Sequence, residues 1–321
     1  MSEIDPTTGA IRRANEPSLS GDTWVTSPTG ERYWGRFGAA GLLAVDAQRG
    51  VLLQHRIPWS HFGGTWGIPG GALQQHESAV DGAIRESEEE ADSPPDALAP
   101  RATSVLDLGF WSYTTVIADV IKPFEPYISD YESQALEWVP IEKVSELPLH
   151  PGFADSWPAL LEVVPRHPLL IVDAANVVGA RPDGWWKDRP AAAGRLRDGL
   201  ASLRAAGVDA AALGLGATRW FADMTMVLEG EARALAAGGA GADAPDGAAA
   251  GLVGLVEAAR DGDGELVAEV ERQLAAGRAA ADVVVVTSDR ELAERVGALG
   301  ASVQGAGWLW EQLDSPGDAQ A

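Results

Sequence analysis

Residues 70–92 read GGALQQHESAVDGAIRESEEEAD and bring four glutamates, Glu86, Glu88, Glu89 and Glu90, directly behind Arg85. As a helix, the segment puts Glu86, Glu89 and Glu90 at i, i+3 and i+4 on one face, while Glu88 points elsewhere. Like charges at that spacing destabilise a helix by about 0.2–0.5 kcal/mol per pair. The fold must therefore set a counter-charge against them or leave them in water. A divalent cation is one answer, because hard cations take oxygen ligands. Ordinary solvation of an acidic face is the other. Gly70 and Gly71 let backbone carbonyls approach the same point, Ala79, Ala83, Ile84 and Ala91 supply an apolar face, and DSPP at 92–95 stops the helix.

Apolar runs at 37–47 and 50–57 read as strands on one side of this helix. Segments 104–121 and 133–141 read as strands on the other side, with a helix at 153–164. The first half is mixed α and β. After Pro165 and Pro168 the pattern changes: LLIVDA at 169–174, TMVLEG at 225–230 and DVVVVTSDREL at 282–292 alternate with helices at 191–206 and 265–275. Buried strands alternating with helices predict a parallel sheet covered on both faces. The expected organisation is an irregular leader at 1–32, a first domain at 33–165, a second at 166–314 with a low-complexity insertion near 233–251, and a disordered tail at 315–321.

Composition narrows the chemistry. A chain of 321 residues accommodates two domains of roughly 100–200 residues each, and 46% hydrophobic residues support packed cores. The absence of cysteine removes disulfides, thiolate zinc sites and thiol catalysis. A net charge of −23 opposes general coating of nucleic acid, though not a cation-bridged phosphate contact at one site. No apolar signal core opens the chain and no run of about 20 apolar residues follows, so the expectation is a cytoplasmic protein without a membrane partner.

The spacing Gly71-x5-Glu77-x7-Arg85-Glu86-x2-Glu89-Glu90, preceded by GGTWGIPGG, resembles the Nudix box and its entry loop over about residues 35–164. The resemblance implies an α/β/α sandwich and hydrolysis of a diphosphate linkage in a nucleoside diphosphate derivative or nucleoside triphosphate. It implies that Glu86, Glu89 and Glu90 bind Mg²⁺ or Mn²⁺ with the Gly71 carbonyl assisting, and that Glu77 and Arg85 pair to hold the loop on the helix. A general base is also needed: Glu86 is one candidate, and Glu132 in YESQALEWVP, similar to the family's later glutamate, is either another or a plain loop carboxylate. Two positions depart from the pattern: Ser87 stands where an apolar residue is usual, and Asp92 where a glycine ends the helix. Trp59, Trp66, Phe110 and Trp111 are candidates for pocket walls.

In the second half acids end the strands: Asp173 with Asn176 nearby, Glu229, and Asp289. Ligands of parallel α/β sheets bind beyond those strand ends. Asp263 either joins them or caps a helix. VDAANVVGARPDGWWKDR and VVVVTSDRELAERVGALGA are similar to the NYN/PIN-like nuclease domain, a Rossmannoid parallel-sheet fold. That resemblance implies metal-dependent hydrolysis of single-stranded RNA by three or four acids. Asp173, Asp263 and Asp289 match its pattern with Asn176 accompanying, Glu229 matches approximately, and Gly264 departs from it where a second acid often follows. Trp185, Trp186 and Lys187 either meet a nucleic-acid strand or pack. The non-enzymatic alternative is a regulatory sensor in which one or both domains bind nucleotide or RNA without turnover.

Overall fold

The computed structural model describes residues 3–4, 11–12, 20–129, 131–182, 184–237, 253–259 and 261–314. The tail at 315–321 and most of the stretch near 233–251 lie outside them; of the latter, Ala234–Ala237 is a short helix. Residues 20–32, expected to be irregular, belong to a hairpin: Trp24–Thr26 pairs antiparallel with Arg32–Trp34. Alternating aromatic and β-branched residues favour extended backbone there. The turn closes at Gly30, whose φ of +96° suits glycine.

The first sheet is built from β1 (Ala39–Asp46), β2 (Gly50–Arg56), β3 (Trp66–Gly67), β4 (Gly70–Ala72), β5 (Leu98–Asp107), β6 (Ser112–Val120) and β7 (Ser133–Val139). The continuous path runs β7-β2-β1-β6-β5, with β3 on β2 and β4 on β1. The 104–121 segment, read as strand throughout, is the hairpin of β5 and β6, turning at Gly109. Along β1 the pleat sends Leu42 and Ala44 to one face and Leu43 and Val45 to the other. Helix α1 (Ala79–Ala91) covers the first face through Ala83 and Ala91. Helix α2 (Pro151–Val163) covers the second through Phe153, Trp157 and Leu160. The result is a three-layer α/β/α arrangement.

The second sheet is parallel throughout. Its strands are β8 (Leu169–Asp173), β11 (Asp223–Leu228), β12 (Gly254–Glu257), β13 (Val283–Val286) and β14 (Ser302–Gln304), in the order β12-β11-β8-β13-β14. Helices α3 (Ala174–Gly179), α4 (Arg189–Ala206) and α7 (Ala306–Asp314) pack on one face; α5 (Gly262–Ala275) and α6 (Arg290–Ala298) pack on the other.

The seam at Pro165–Pro168 is crossed twice. Two short strands of the second half, β9 (Val208–Asp209) and β10 (Arg219–Trp220), extend the first sheet: β10 pairs antiparallel with β5, placing Trp220 opposite Ala102. Trp220 is fully buried in the first half's core, and its indole N–H donates to the Gly216 carbonyl at 2.8 Å. A charged joint seals the contact. Buried Arg101 donates to the Arg166 carbonyl, and Arg166 pairs with the buried Asp282, which also accepts the His167 N–H at 2.9 Å.

Candidate functional site

Helix α1 begins and ends on local signals. Ser78 caps it, its hydroxyl oxygen accepting the Asp81 N–H at 3.1 Å. Asp92 ends it in the left-handed region (φ 52°, ψ 36°), its N–H donating to the Glu88 carbonyl. The buried stripe is Gly82, Ala83, Ser87 and Ala91, so Ser87 does lie inward, as the sequence implied. Its hydroxyl donates to Ser93 Oγ at 2.9 Å, which satisfies a polar group where an apolar one is usual.

This register aims three acids at β4 or Arg85. The Gly70 N–H donates to Glu90 Oε2 at 2.9 Å. The Glu86 carboxylate lies so close to Gly71 that a Cβ there would stand 2.4 Å from Oε2. Glu89 is more open and receives a long 3.4 Å contact from Arg85 Nη1. Glu88 faces solvent.

Arg85 ties loop to helix. Its Nε and Nη2 donate to the two Glu77 oxygens at 2.8 and 2.9 Å, Nη2 also reaches the Ala72 carbonyl, and Nη1 donates to Glu86 Oε1 at 2.7 Å. Arg85 holds the Glu77 carboxyl below its usual range. Burial raises the Glu86 carboxyl, Arg85 opposes that rise, and Glu89 and Asp22 add to it. Burial also pushes the Tyr113 phenol up, with Glu90 and Glu86 adding and Arg56 opposing. Asp22 and Tyr113 thus share the electrostatics of these acids, although no spacing in the sequence marks them.

As the side chains stand, no trio of His, Asp or Glu among the described residues is gathered to hold an ion. The donor set nevertheless fits a hard cation. Glu86 lies against the Gly71 backbone where a Cβ would fall, Glu90 accepts the Gly70 N–H, and Arg85 occupies the charge that Glu86 and Glu89 would offer. Glu132 pairs with Arg56 at 3.1 Å, its side chain 59% exposed. Of the expected wall residues, Trp66 is a core residue stacked on His55; Phe110 and Trp111 touch Tyr33, with Phe110 still partly open; and Trp59 is 81% exposed. A groove of about 910 Å³ between the halves, lined in part by Ser78, Asp81, Thr103, Arg204 and Arg219, includes none of these acids.

In the second half the acids sense one another but are largely engaged. Asp173 accepts the Asn176 N–H and the Thr287 hydroxyl, each at 3.0 Å, and Asn176 Oδ1 accepts the Ser288 N–H at 2.8 Å. Asp289 caps α6 by accepting the Leu292 N–H at 2.9 Å. Asp261, not Asp263, caps α5. Glu229 rests against Gly262. Burial raises the Asp173 carboxyl, with Asp263 and Glu229 adding. Burial likewise raises Asp263, with Asp289 the largest of the charges that add to it. Trp185 and Trp186 meet edge to face at 6.1 Å, Arg189 lies over Trp185, and Trp186 is 56% exposed.

Residues 35–161 match the NUDIX domain family model. "Putative 8-oxo-dGTP diphosphatase 3" of Mycobacterium tuberculosis is 47% identical over 163 residues, covering 48% of this chain and 75% of that protein. A "Nucleoside triphosphate pyrophosphatase/Nudix hydrolase fusion protein" of Bifidobacterium longum is 43% identical over 147 residues, covering 43% of this chain and 30% of that protein. Among solved structures, the Nudix hydrolase RenU from M. smegmatis is 48% identical, with a TM-score of 0.43 over 45% of this chain and 96% of that one.

Proposed function

This chain belongs to the Nudix family and is a pyrophosphohydrolase acting on phosphoanhydrides; on that premise we propose that it cleaves nucleoside triphosphates, damaged ones such as 8-oxo-dGTP included. The observation that carries the reading is Glu86 against the Gly71 backbone and Glu90 on the Gly70 N–H, with Arg85 bridging Glu77, Glu86 and Glu89. Glu86, Glu89 and Glu90, with the Gly71 carbonyl, would hold Mg²⁺ or Mn²⁺, which when bound neutralises phosphate charge and lowers the pKa of water. The chain's own residues do the rest. Glu77 and the Ala72 carbonyl fix Arg85, and so fix Glu86. Glu86, largely buried with a raised carboxyl, is the proton acceptor for the attacking water; Glu132 is committed to Arg56.

Incubating the purified chain with Mg²⁺ or Mn²⁺ and a nucleotide panel, with products read by mass, tests this. Nucleoside triphosphates should yield monophosphate and pyrophosphate. Turnover confined to nucleotide sugars or dinucleotides would overturn the substrate class.

For the second half, the repulsion among Asp173, Glu229, Asp263 and Asp289 favours a divalent cation and, with it, the RNA hydrolysis that the NYN/PIN-like resemblance implies. Asp263 is the informative position, because Asp173 also serves the backbone. Mn²⁺ should raise the unfolding temperature of the second half in the full chain, and Asp263→Asn should remove most of that gain. Binding of an RNA oligonucleotide without cleavage would make this half a sensor.

A further inference from the structure

Two segments that run into the acid site carry an unusual share of surface rings. The hairpin of residues 24–34 is clamped by its two ends: a Cβ on Gly21 would meet the Leu73 carbonyl at 1.9 Å, and one on Gly35 would lie 3.4 Å from the Ala72 Cα. The Gly21 N–H donates to Gln74 Oε1 at 3.1 Å, and Asp22 acts on the Glu86 carboxyl. A two-stranded hairpin with strands of three residues is not stable by itself, so these contacts with the 72–74 loop fix where its rings sit.

The second segment, residues 57–65, leads through β3 into Gly70 and Gly71. Trp24 packs edge-on against Trp34 at 5.1 Å and against His61 at 5.4 Å; His61 meets Phe62 at 4.2 Å, and Phe62 meets His150 at 4.7 Å. The rings thus close a bridge between hairpin and loop, yet Trp34 remains 38% exposed and Phe62 45%. Arg32 lies over Trp24 at 4.7 Å and adds a cation to an otherwise acidic neighbourhood.

We propose that Trp34 and Phe62, braced by Trp24 and His61, form the wall on which the heterocyclic base of a nucleoside phosphate stacks while its phosphates lie at Glu86, Glu89 and Glu90. This rests on the hydrolase reading above. The occupant follows from three features: flat apolar rings left open, a phosphate-competent site at the roots of both segments, and a cation beside the rings. Stacking engages the face of a base and tolerates changes on its edge. Recognition here therefore separates substrates with a base from those without one, more than one base from another.

The test uses the full chain and two probes, guanosine 5′-monophosphate for binding by calorimetry and dGTP for kinetics. Trp34→Leu and Phe62→Leu should each weaken binding and raise KM roughly tenfold, with the loss on KM rather than kcat. Trp34→Phe should restore most of the affinity, which a purely structural role for the indole would not allow. Inorganic tripolyphosphate, which has no base, should bind wild type and both leucine variants alike. Unchanged KM and affinity in leucine variants that melt like wild type would overturn the wall while leaving the hydrolase reading intact. Ring-dependent binding of the monophosphate without turnover of any nucleotide would keep the wall and overturn that reading.

Discussion

At Gly71 an added methyl group would stand 2.4 Å from Glu86 Oε2 and 2.5 Å from its Cδ, so alanine there must push that carboxylate aside. The obstacle is the far end of a flexible side chain, and the backbone at Gly71 is not in the left-handed region. Gly71→Ala should therefore lose most hydrolysis with little change in melting temperature. Gly70→Ala meets Ala40 and Gly41 backbone at 2.5 Å and should instead destabilise β4 against β1. Equal melting temperatures for the two variants would refute this distinction. The glutamates separate in the same way. Glu90→Gln and Glu89→Gln should cost at least the roughly 10²–10⁴-fold of a positioned catalytic group, whereas Glu88→Gln, on the solvent face, should be nearly silent. Steady-state rates at saturating metal check this; matched losses at 88 and 89 would unseat the site.

Helix ends respond to single groups. His150 caps α2 through Nδ1, which accepts the Gly152 N–H at 3.2 Å and so must be unprotonated. Burial, with Arg56 and His61 adding, lowers its pKa from 6.5 to about 4. The unfolded chain therefore takes the proton first as pH falls. The group's contribution to stability is complete above about pH 6.5 and is lost on descending towards about pH 4. His150→Asn, which keeps a cap acceptor, should flatten the dependence of melting temperature on pH in that window; an unaltered slope would refute the assignment. Inside α1, Ser87→Ala should cost about 1–3 kcal/mol by stranding the buried Ser93 hydroxyl, and adding Ser93→Ala should recover much of it. The stop of α1 at DSPP, its apolar stripe and its acidic face were legible in the sequence because prolines, apolar periodicity and charge spacing act within a few residues. The histidine cap of α2, the rings of the 24–34 hairpin and the bond from Gly70 to Glu90 were not. Strands of three residues carry too little periodicity, and contacts across tens of residues leave no local pattern.

The seam between the halves shows the same limit at the largest scale. Prolines 165 and 168 marked a junction, and all the Nudix-box acids fall before it, so residues 1–166 contain every group the proposed hydrolysis uses. Stability does not divide at the same place. Without residues 207–222, β5 loses its partner β10: the Thr218 N–H no longer reaches the Thr103 carbonyl, nor the Phe221 N–H the Arg101 carbonyl. The first core also loses the whole Trp220 side chain, and the buried Arg101 guanidinium loses the His167 ring, 3.1 Å away at Nδ1. Removing a fully buried tryptophan alone costs about 3–5 kcal/mol, a large part of the roughly 5–15 kcal/mol that holds a domain folded. An isolated 1–166 fragment should therefore keep hydrolysis at low temperature but unfold well below the full chain and associate through the bared β5 edge. Trp220→Ala in the full chain should lower the same transition without touching a catalytic group. Differential scanning calorimetry of the fragment, the variant and the intact chain distinguishes the cases. A fragment that melts where the intact first half melts would mean that β9 and β10 rest on the first sheet without supporting it.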